Sequence, residues 1–184
     1  MLGDTLFVLW FLLPAGIANM APVLAKHWSV LKQLDKPIDN GRIWRGHRLL
    51  GAHKTWRGFV AGWLLATAFV LIQFWLYDHT AFFNDFYRFD IAGLNPIAWS
   101  TALTLGALGG DAIKSFFKRQ IDIPPGKSWV PFDQIDYVVG TLIVASLLVD
   151  MPIRFYAIAF LLGLFLHPLV NLLGWAIRVK DNPF

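Results

Sequence analysis

The sequence predicts an all-α integral membrane protein with five transmembrane helices, an outside N-terminus and a cytoplasmic C-terminus. Of its 184 residues, 57% are hydrophobic and only 15% are charged, whereas about 25% of the residues in a soluble domain are charged. All twelve acidic residues are Asp, so Glu, a main residue of solvated helix faces, is missing. The chain has no Cys, which excludes a disulfide scaffold and a thiol nucleophile. These features argue against a soluble globule.

Five apolar stretches without Asp, Lys or Arg account for the predicted helices. A helix needs about 20 such residues to cross a hydrocarbon core of about 30 Å. The fourth stretch is too short to cross the membrane by itself. Its helix can be long enough only if it begins near Phe132, which places Asp133 and Asp136 at the membrane edge. The expected spans are 5–25, 58–77, 91–110, 137–149 and 155–177.

The first span is expected to be a retained helix, because the basic n-region of a signal peptide is missing. Pro14, Gly16, Asn19 and Pro22 fall inside it and are expected to kink or interrupt it. Irregular backbone at membrane depth survives only against protein or water, so this helix is expected to pack against its neighbours.

Basic residues set the orientation of the five spans. Fourteen of the sixteen Lys and Arg residues fall within 25–57, 114–136 and the C-terminal tail, and the two exceptions are Arg88 and Arg154. The positive-inside rule places these three segments in the cytoplasm. Without repeats or low-complexity tracts, 1–184 is expected to form one membrane-embedded domain, with cytoplasmic loops at about 26–57 and 114–136.

A polar stripe is predicted where the third span meets the second cytoplasmic loop. On a continuing helix, Lys114, Ser115 and Lys118 follow Asp111 at i+3, i+4 and i+7, which places all four side chains on one face. An ionised Asp in a bilayer costs about 2.5 to 3.5 kcal/mol on insertion scales, so such residues usually face a cavity, a partner or a metal.

Two further carboxylates lie at the start of the fourth helix. Asp133 and Asp136 are three residues apart, so both project from one side of its first turn and can reach a single ion together with Asp111. Carboxylate oxygens suit Mg²⁺, which is commonly held by carboxylates and substrate phosphates. The alternative is that Asp111 pairs with Lys114, while Asp133 and Asp136 merely favour the positive helix N-terminus.

Basic residues around a proline turn are candidates for phosphate binding. The segment IPPGKSW cannot be helical through its paired prolines and carries Lys127 on a stiff turn. Lys118, Arg119 and Lys127 could hold a nucleotide triphosphate, because Arg supplies a bidentate fork and Lys a point charge. The alternative is that these basic side chains bind anionic lipid headgroups and set the orientation of the chain in the membrane.

The same segments resemble a known family. Gly110 and Asp111, SFFKR at 115–119 and PPGKSWVPFDQID at 124–136 are similar to the signature of CTP-dependent cytidylyltransferases that make CDP-activated lipids. Gln134 stands where bacterial CDP-diacylglycerol synthases have Arg, and PGKSW replaces their PGHGG form. These departures point to the sister family, the CDP-archaeol synthases.

Further blocks resemble that sister family in order and spacing, and with the signature they cover about half of the chain. They are PAGIANMAPV at 14–23, PID at 37–39 with GHRLLGAHKTWRG at 46–58, and HPLVNLLGWAIRVKDNPF at the C-terminus. The resemblance implies a five-helix fold, Mg²⁺ dependence and a cytoplasmic active site that transfers CMP from CTP to a lipid phosphate. The natural acceptor is left open between a geranylgeranylglyceryl phosphate and phosphatidic acid.

The resemblance also implies roles for the candidate residues. Asp111, Asp133 and Asp136 would hold one or two Mg²⁺ ions, with Lys118 as a further catalytic group. The expected substrate-binding residues are Lys54, Arg57, Lys114, Ser115, Arg119 and Lys127.

The sequence also has features of two other classes of function. A small non-catalytic transporter or assembly protein would use Asp111 on an ion path and would bind no CTP. CDP-alcohol phosphotransferases carry a DxxDG motif and a second Asp pair; here Tyr137 follows DQID and the second pair is missing. The expected partners are CTP and a membrane lipid phosphate, and no nucleic-acid partner is expected. The sequence leaves the oligomeric state open, a homo-oligomer included.

Overall fold

The fold is seen in a computed structural model that describes residues 1–26, 28–124 and 127–176. The described residues are mostly helical, as predicted. The helices are α1 (Leu2–Ala25), α2 (Trp56–His79), α3 (Ala81–Phe86), α4 (Pro96–Gln120), α5 (Phe132–Ala145) and α6 (Ile153–Ala176). Among them, α1 and α2 are long and apolar enough to cross a membrane, and α6 has a shorter apolar part, Ile153–Leu166. The end of the fifth expected span, the C-terminal tail and the Pro-Gly turn at 125–126 lie outside the described residues.

The third expected span corresponds to α4, which begins later and ends later than predicted. It begins at Pro96 because the Asn95 side chain accepts hydrogen bonds from two backbone N–H groups of the first turn, at 2.9 and 3.1 Å. It runs on to Gln120, which confirms the continuing helix assumed for the stripe that starts at Asp111.

The fourth helix, α5, begins at Phe132 and carries Asp133 and Asp136 in its first turns, as the short apolar stretch predicted. Its 14 residues are about 21 Å long, which is less than the hydrocarbon core of about 30 Å. The carboxylates therefore belong to the helix end that lies nearest the polar loops.

Of the two expected effects of Pro14 and Pro22, a kink or an interruption, the interruption is wrong, since α1 is continuous through both prolines. The reason is its close contact with α2. A Cβ on Gly58 would lie 2.8 Å from Pro22 Cβ, and one on Gly62 would lie 2.9 Å from the Ala18 carbonyl oxygen. The close packing of α2 against α1 stabilises α1 at the turns where the proline residues remove backbone hydrogen bonds.

The first polar loop contains a small hairpin that was not predicted. Strands β1 (Ile43–Trp44) and β2 (His47–Arg48) pair antiparallel. The two residues between them, Arg45 and Gly46, have φ values of 51° and 82°, as a tight type I′ turn requires. This hairpin is a local departure from the all-α class.

Aromatic rings fill the opposite end of the helix bundle. The fully buried Phe7 lies at their centre, with its ring centroid 5.4 to 6.1 Å from those of four neighbours. These neighbours are Phe86, Tyr87, Phe89 and Phe155. The short helix α3, which was not predicted either, ends at Phe86 and supplies one of the rings.

One acidic residue at this end pairs with both Arg residues that lie outside the basic segments. Asp4 Oδ1 is 3.4 Å from Arg88 Nε, and Asp4 Oδ2 is 3.6 Å from Arg154 Nε. The pairs join the start of α1 to the segment before α4 and to the start of α6.

Glycines bring the backbones of α4 and α5 into direct contact. A Cβ on Gly140 would lie 2.1 Å from the Gly106 carbonyl oxygen, and one on Gly110 would lie 2.2 Å from the Asp136 carbonyl oxygen. Small residues allow such approaches between membrane helices. The contact fixes the first turn of α5 against the end of α4, where the predicted site residues lie.

We expect Gly110→Ala to destabilise the protein by about 1 to 3 kcal/mol, because the added methyl group forces α4 and α5 apart. Gly109→Ala is the matched control, since a Cβ at the neighbouring Gly109 meets nothing within 4 Å. Thermal unfolding in detergent micelles measures both variants. Equal melting temperatures for the two would contradict the proposed role of the helix contact.

Candidate active site

The ammonium group of Lys114 joins three carboxylates from two helices. Its Nζ lies 3.1 Å from Asp111 Oδ1, one turn earlier on α4. It also lies 2.8 Å from Asp133 Oδ1 and 2.8 Å from Asp136 Oδ2, both on α5. The four side chains are 5 to 16% exposed. The structure thus brings the three predicted metal ligands to one point.

Two further lysines flank this group. Lys54, from the loop before α2, pairs with Asp111 Oδ2. Lys118, one turn after Lys114 on α4, lies 3.0 Å from Asp133 Oδ2 and donates a hydrogen bond to the Lys127 carbonyl oxygen. These six residues form the charged cluster: Lys54, Asp111, Lys114, Lys118, Asp133 and Asp136.

The observed ion pairs differ from the alternative in which Asp133 and Asp136 serve only the N-terminus of α5. Asp111 does pair with Lys114, but Asp133 and Asp136 face the same ammonium group instead of serving only the N-terminus of α5. Within the described residues, no three acidic or His side chains are grouped as a bare metal site. The carboxylates converge, but an ammonium group lies between them.

Ser115 connects the first loop to α4. Its hydroxyl oxygen accepts a hydrogen bond from the Gly51 N–H group at 3.1 Å, and its side chain is buried. Ser115 was predicted to bind substrate; here it holds the segment that leads to Lys54.

Asp39 organises the rest of that loop and was not singled out from the sequence. Its carboxylate accepts hydrogen bonds from Arg48 at 3.1 and 3.3 Å and from the N–H groups of Gly41 and Leu50 at 2.9 Å. Burial alone would raise the pKa of Asp39, but the bonds from Arg48 and the two N–H groups lower it below its ordinary value. In the sequence, the PID motif at 37–39 was the only feature that pointed to Asp39.

Of three other predicted residues, Arg119 and Lys127 lie beside the cluster and Arg57 does not. Arg119 lines a small cleft of about 150 Å³ together with Lys54, Lys114 and Lys118 of the cluster. Lys127 supplies a backbone carbonyl to Lys118, while its side chain is exposed. Arg57 is not brought to the cluster; it is buried and its Nη2 lies 3.1 Å from Asp35 Oδ2.

His53 is exposed. It nevertheless lines the basic cleft beside Lys54, together with Gly51, Lys114, Ser115, Lys118 and Arg119. The sequence feature that could have indicated this location is that His53 directly precedes Lys54 in the chain. A concave surface with five Lys, Arg or His side chains suits an anionic ligand.

Comparison with known proteins identifies the family of the chain. A family model described as CarS-like CDP-archaeol synthase matches residues 1–184. The chain belongs to the CDP-archaeol synthase family. This confirms the resemblance inferred from the sequence motifs and shows a nucleotidyltransferase rather than a transporter.

Individual relatives agree with the family match. CDP-archaeol synthase of Methanocaldococcus jannaschii is 34% identical over 176 residues, which cover 94% of this chain and 93% of that protein. The Methanosphaerula palustris protein of the same name is 36% identical over 182 residues, covering 94% and 100%. A solved structure described as an intramembrane enzyme for archaeal membrane lipid biosynthesis is similar with a TM-score of 0.70 at 30% identity, covering 88% of this chain and 90% of that chain.

We expect Lys114→Met to destabilise the unliganded protein by about 3 kcal/mol or more, because it leaves the buried Asp136 carboxylate, which pairs with Lys114, without a countercharge. Lys127→Met is the control, since the Lys127 side chain is exposed. Thermal unfolding in detergent with a chelator present compares the two variants. If Lys114→Met melted at the temperature of the unsubstituted protein, the ammonium group would not be what holds the carboxylates together.

We expect Asp39→Asn to flatten the pH dependence of stability. Because folding lowers the pKa of Asp39 from 3.8, its carboxylate adds stability that is present above that pH and is lost as the pH falls through the folded-state pKa. The variant should be about 1 to 2 kcal/mol less stable at pH 7 and should differ less at pH 3. Unfolding curves at both pH values test this. Asp122→Asn, at an 81% exposed side chain, should show neither effect.

Proposed function

We propose that the chain transfers the cytidylyl group of CTP to a membrane-embedded archaeal lipid monophosphate. The products are a CDP-lipid and pyrophosphate. The observation that carries the proposal is the basic cleft of about 150 Å³ that adjoins the charged cluster, in a chain matched over its whole length by the CDP-archaeol synthase family.

The reaction forms one P–O bond and breaks another. An oxygen of the lipid phosphate attacks the α-phosphorus of CTP, and the bond from that phosphorus to the bridging oxygen of the β-phosphate breaks. Pyrophosphate leaves with the electron pair of that bond. The protein supplies no covalent nucleophile, so catalysis consists of positioning and charge stabilisation.

Basic side chains of the cleft hold the triphosphate in this proposal. Lys54 and Lys118 provide point charges at its two sides, and Arg119 provides a guanidinium fork. Arg119 Nε is buried and has no hydrogen-bond partner within the part of the chain that the structure describes. A phosphate oxygen in the cleft would supply that partner, and Lys127 extends the basic surface along the following loop.

The carboxylate set suits Mg²⁺. Asp111, Asp133 and Asp136 each place an oxygen within 3.1 Å of one cationic nitrogen, so the three side chains already converge on a positive charge. Hard oxygen ligands of this kind hold Mg²⁺ together with substrate phosphates. The bound ion would neutralise the charge that develops on the phosphates.

We also propose that the chain crosses the membrane five times, with α1, α2, α4, α5 and α6 as spans. The N-terminus then lies outside, and the first loop, the charged cluster and the C-terminus lie in the cytoplasm. Support comes from the distribution of basic residues and from the location of the cluster at the end of α4 that meets both basic loops. Cytoplasmic CTP would reach such a site directly.

Purified protein should release pyrophosphate from CTP only when Mg²⁺ and a lipid phosphate are both present, with the archaeal ether lipid preferred over phosphatidic acid. Asp133→Asn should lower kcat on the order of 100-fold, because Asp133 contacts both Lys114 and Lys118. Asp122→Asn should be unaffected. An assay of pyrophosphate and of labelled CDP-lipid measures all three proteins. No product with either lipid would contradict the proposed function, and full activity of Asp133→Asn would contradict its assignment to the site.

A further inference from the structure

The outward face of the last turns of α4 is apolar. Ile113, Phe117 and Ile121 follow one another at a spacing of four residues, and each is more than half exposed. Lys114 and Lys118, in the same turns, pair with the charged cluster instead. The polarity of this helix end is thus the reverse of that of a helix in water, whose charged side chains face the solvent. An exposed apolar surface of this kind marks contact with a membrane or a partner.

The β-hairpin of the first loop extends this apolar surface. Ile43 of β1 is 70% exposed, and Trp44 is 46% exposed. The Trp44 ring stacks on Phe116 of α4, with 5.5 Å between the ring centroids, and Phe116 contacts Phe117 at the same centroid distance. The hairpin and the helix therefore present one continuous surface. Its members form the interfacial patch: Ile43, Trp44, Ile113, Phe117 and Ile121.

A groove of about 560 Å³ lies beside the patch, between the first loop and α4. Leu49 and Leu50 of the loop line it, together with Ile113 and Phe117 of the patch. Arg42 lines it as well. Water in a largely apolar space is unfavourable, whereas the hydrocarbon chains of a lipid leaflet can fill it.

The charge around the patch is positive. Arg42 and Arg45 are exposed and flank the two hairpin residues of the patch in the chain, and the Arg45 guanidinium carbon lies 4.7 Å from the centroid of the Trp44 ring. The two carboxylates beside the hairpin already have partners in it: Asp39 with Arg48 and Asp122 with His47. Exposed guanidinium groups are therefore left for phosphate groups, which they bind as a bidentate fork. Trp and Arg next to apolar side chains are typical of residues at the membrane–water interface.

The length of α4 is consistent with this location. Its 25 residues are about 37 Å long. The hydrocarbon core measures about 30 Å, and the headgroup region on each side adds about 5 to 8 Å. A helix of this length crosses the core and one headgroup region. Phe116, which carries the hairpin, lies one turn before the end of α4 and therefore near the level of the headgroups.

We propose that the interfacial patch docks on the cytoplasmic leaflet of an anionic membrane. Ile43 and Trp44 enter the boundary between headgroups and hydrocarbon, and Arg42 and Arg45 bind phosphate groups of lipids that are not substrates. The proposal rests on the proposed crossing of the membrane by α4 and does not depend on the transfer reaction.

Docking would connect the leaflet to the first loop and its Lys54. Arg48 of the hairpin and the Leu50 N–H group both donate to the Asp39 carboxylate. The next residue, Gly51, donates its N–H group to Ser115 of α4. A hairpin held on the membrane therefore steadies the segment that leads to Lys54.

Spin labels test the depth of the hairpin in the full chain. Because the chain has no Cys, a nitroxide attached to Ile43→Cys reports on that position alone. In vesicles of phosphatidylcholine and phosphatidylglycerol in equal parts, this label should be more accessible to oxygen than to a water-soluble nickel chelate. Gln33→Cys, at an exposed polar position of the same loop, is the control and should show the opposite order. Ile113→Cys gives a second, independent reading of the patch and should resemble Ile43→Cys.

The role of the arginines is tested in the Ile43→Cys background. Arg42→Gln combined with Arg45→Gln should lower the ratio of immersed to solvent-exposed label on the order of fivefold for each Arg removed, the factor expected for one basic side chain at an anionic surface. In vesicles of phosphatidylcholine alone, the double variant should match the unsubstituted arginines. Lys32→Gln combined with Lys36→Gln, which removes two exposed Lys residues of the same loop, is the charge-matched control and should change the ratio much less.

The contrary outcomes are distinct from one another. Labels at positions 43 and 113 that are both more accessible to the nickel chelate would overturn membrane docking. Equal immersion in the two kinds of vesicle, or equal effects of the Arg and Lys pairs, would overturn the binding of anionic headgroups. Shielding of position 43 from both reagents, with spin–spin coupling between molecules, would assign the patch to a second copy of the chain instead. None of these readings requires turnover, so absence of CDP-lipid contradicts only the proposed function.

Discussion

The structure of the site depends on one constraint: the first turn of α5 must lie against the end of α4. Because Gly106, Gly110 and Gly140 have no side chains, the backbones of α4 and α5 approach closely enough for Asp133 and Asp136 to reach Lys114. A carboxylate and an ammonium group separated by a further few ångströms would each need water instead. The position of the charged cluster, and of the basic cleft beside it, follows from this contact.

Several parts of this arrangement were predictable because they depend on local spacing. Helical periodicity placed Asp111, Lys114 and Lys118 on one face, and the short apolar stretch predicted that α5 begins at Phe132. The pairing of Lys114 with Asp133 and Asp136 across the contact between α4 and α5 was not predictable. The sequence shows which residues share a helix face, but not which side chain of another helix lies opposite them. The same limit explains why Arg57 was expected at the site, although Asp35 holds it elsewhere.

The first loop shows a different limit of sequence reasoning. Asp39 accepts hydrogen bonds from Arg48 of the hairpin and from the Leu50 N–H group, and the next residue, Gly51, donates its N–H group to Ser115 of α4. These contacts join residues that are far apart in the chain, so local spacing does not predict them. The structure shows how the loop is held: one buried carboxylate, from Asp39, orders it, and one hydroxyl group, from Ser115, fixes its end beside Lys54.

The charged cluster has a net charge of zero. Three carboxylates, from Asp111, Asp133 and Asp136, are matched by three ammonium groups, from Lys54, Lys114 and Lys118. Such a set is tolerable next to lipid because no uncompensated charge is buried. In the proposed function, binding of the nucleotide would be an exchange of counterions: its phosphates would draw lysines away from the carboxylates, and those carboxylates would become available to the Mg²⁺ ion that arrives with it. Electroneutrality would then couple the binding of the anion to the binding of the cation.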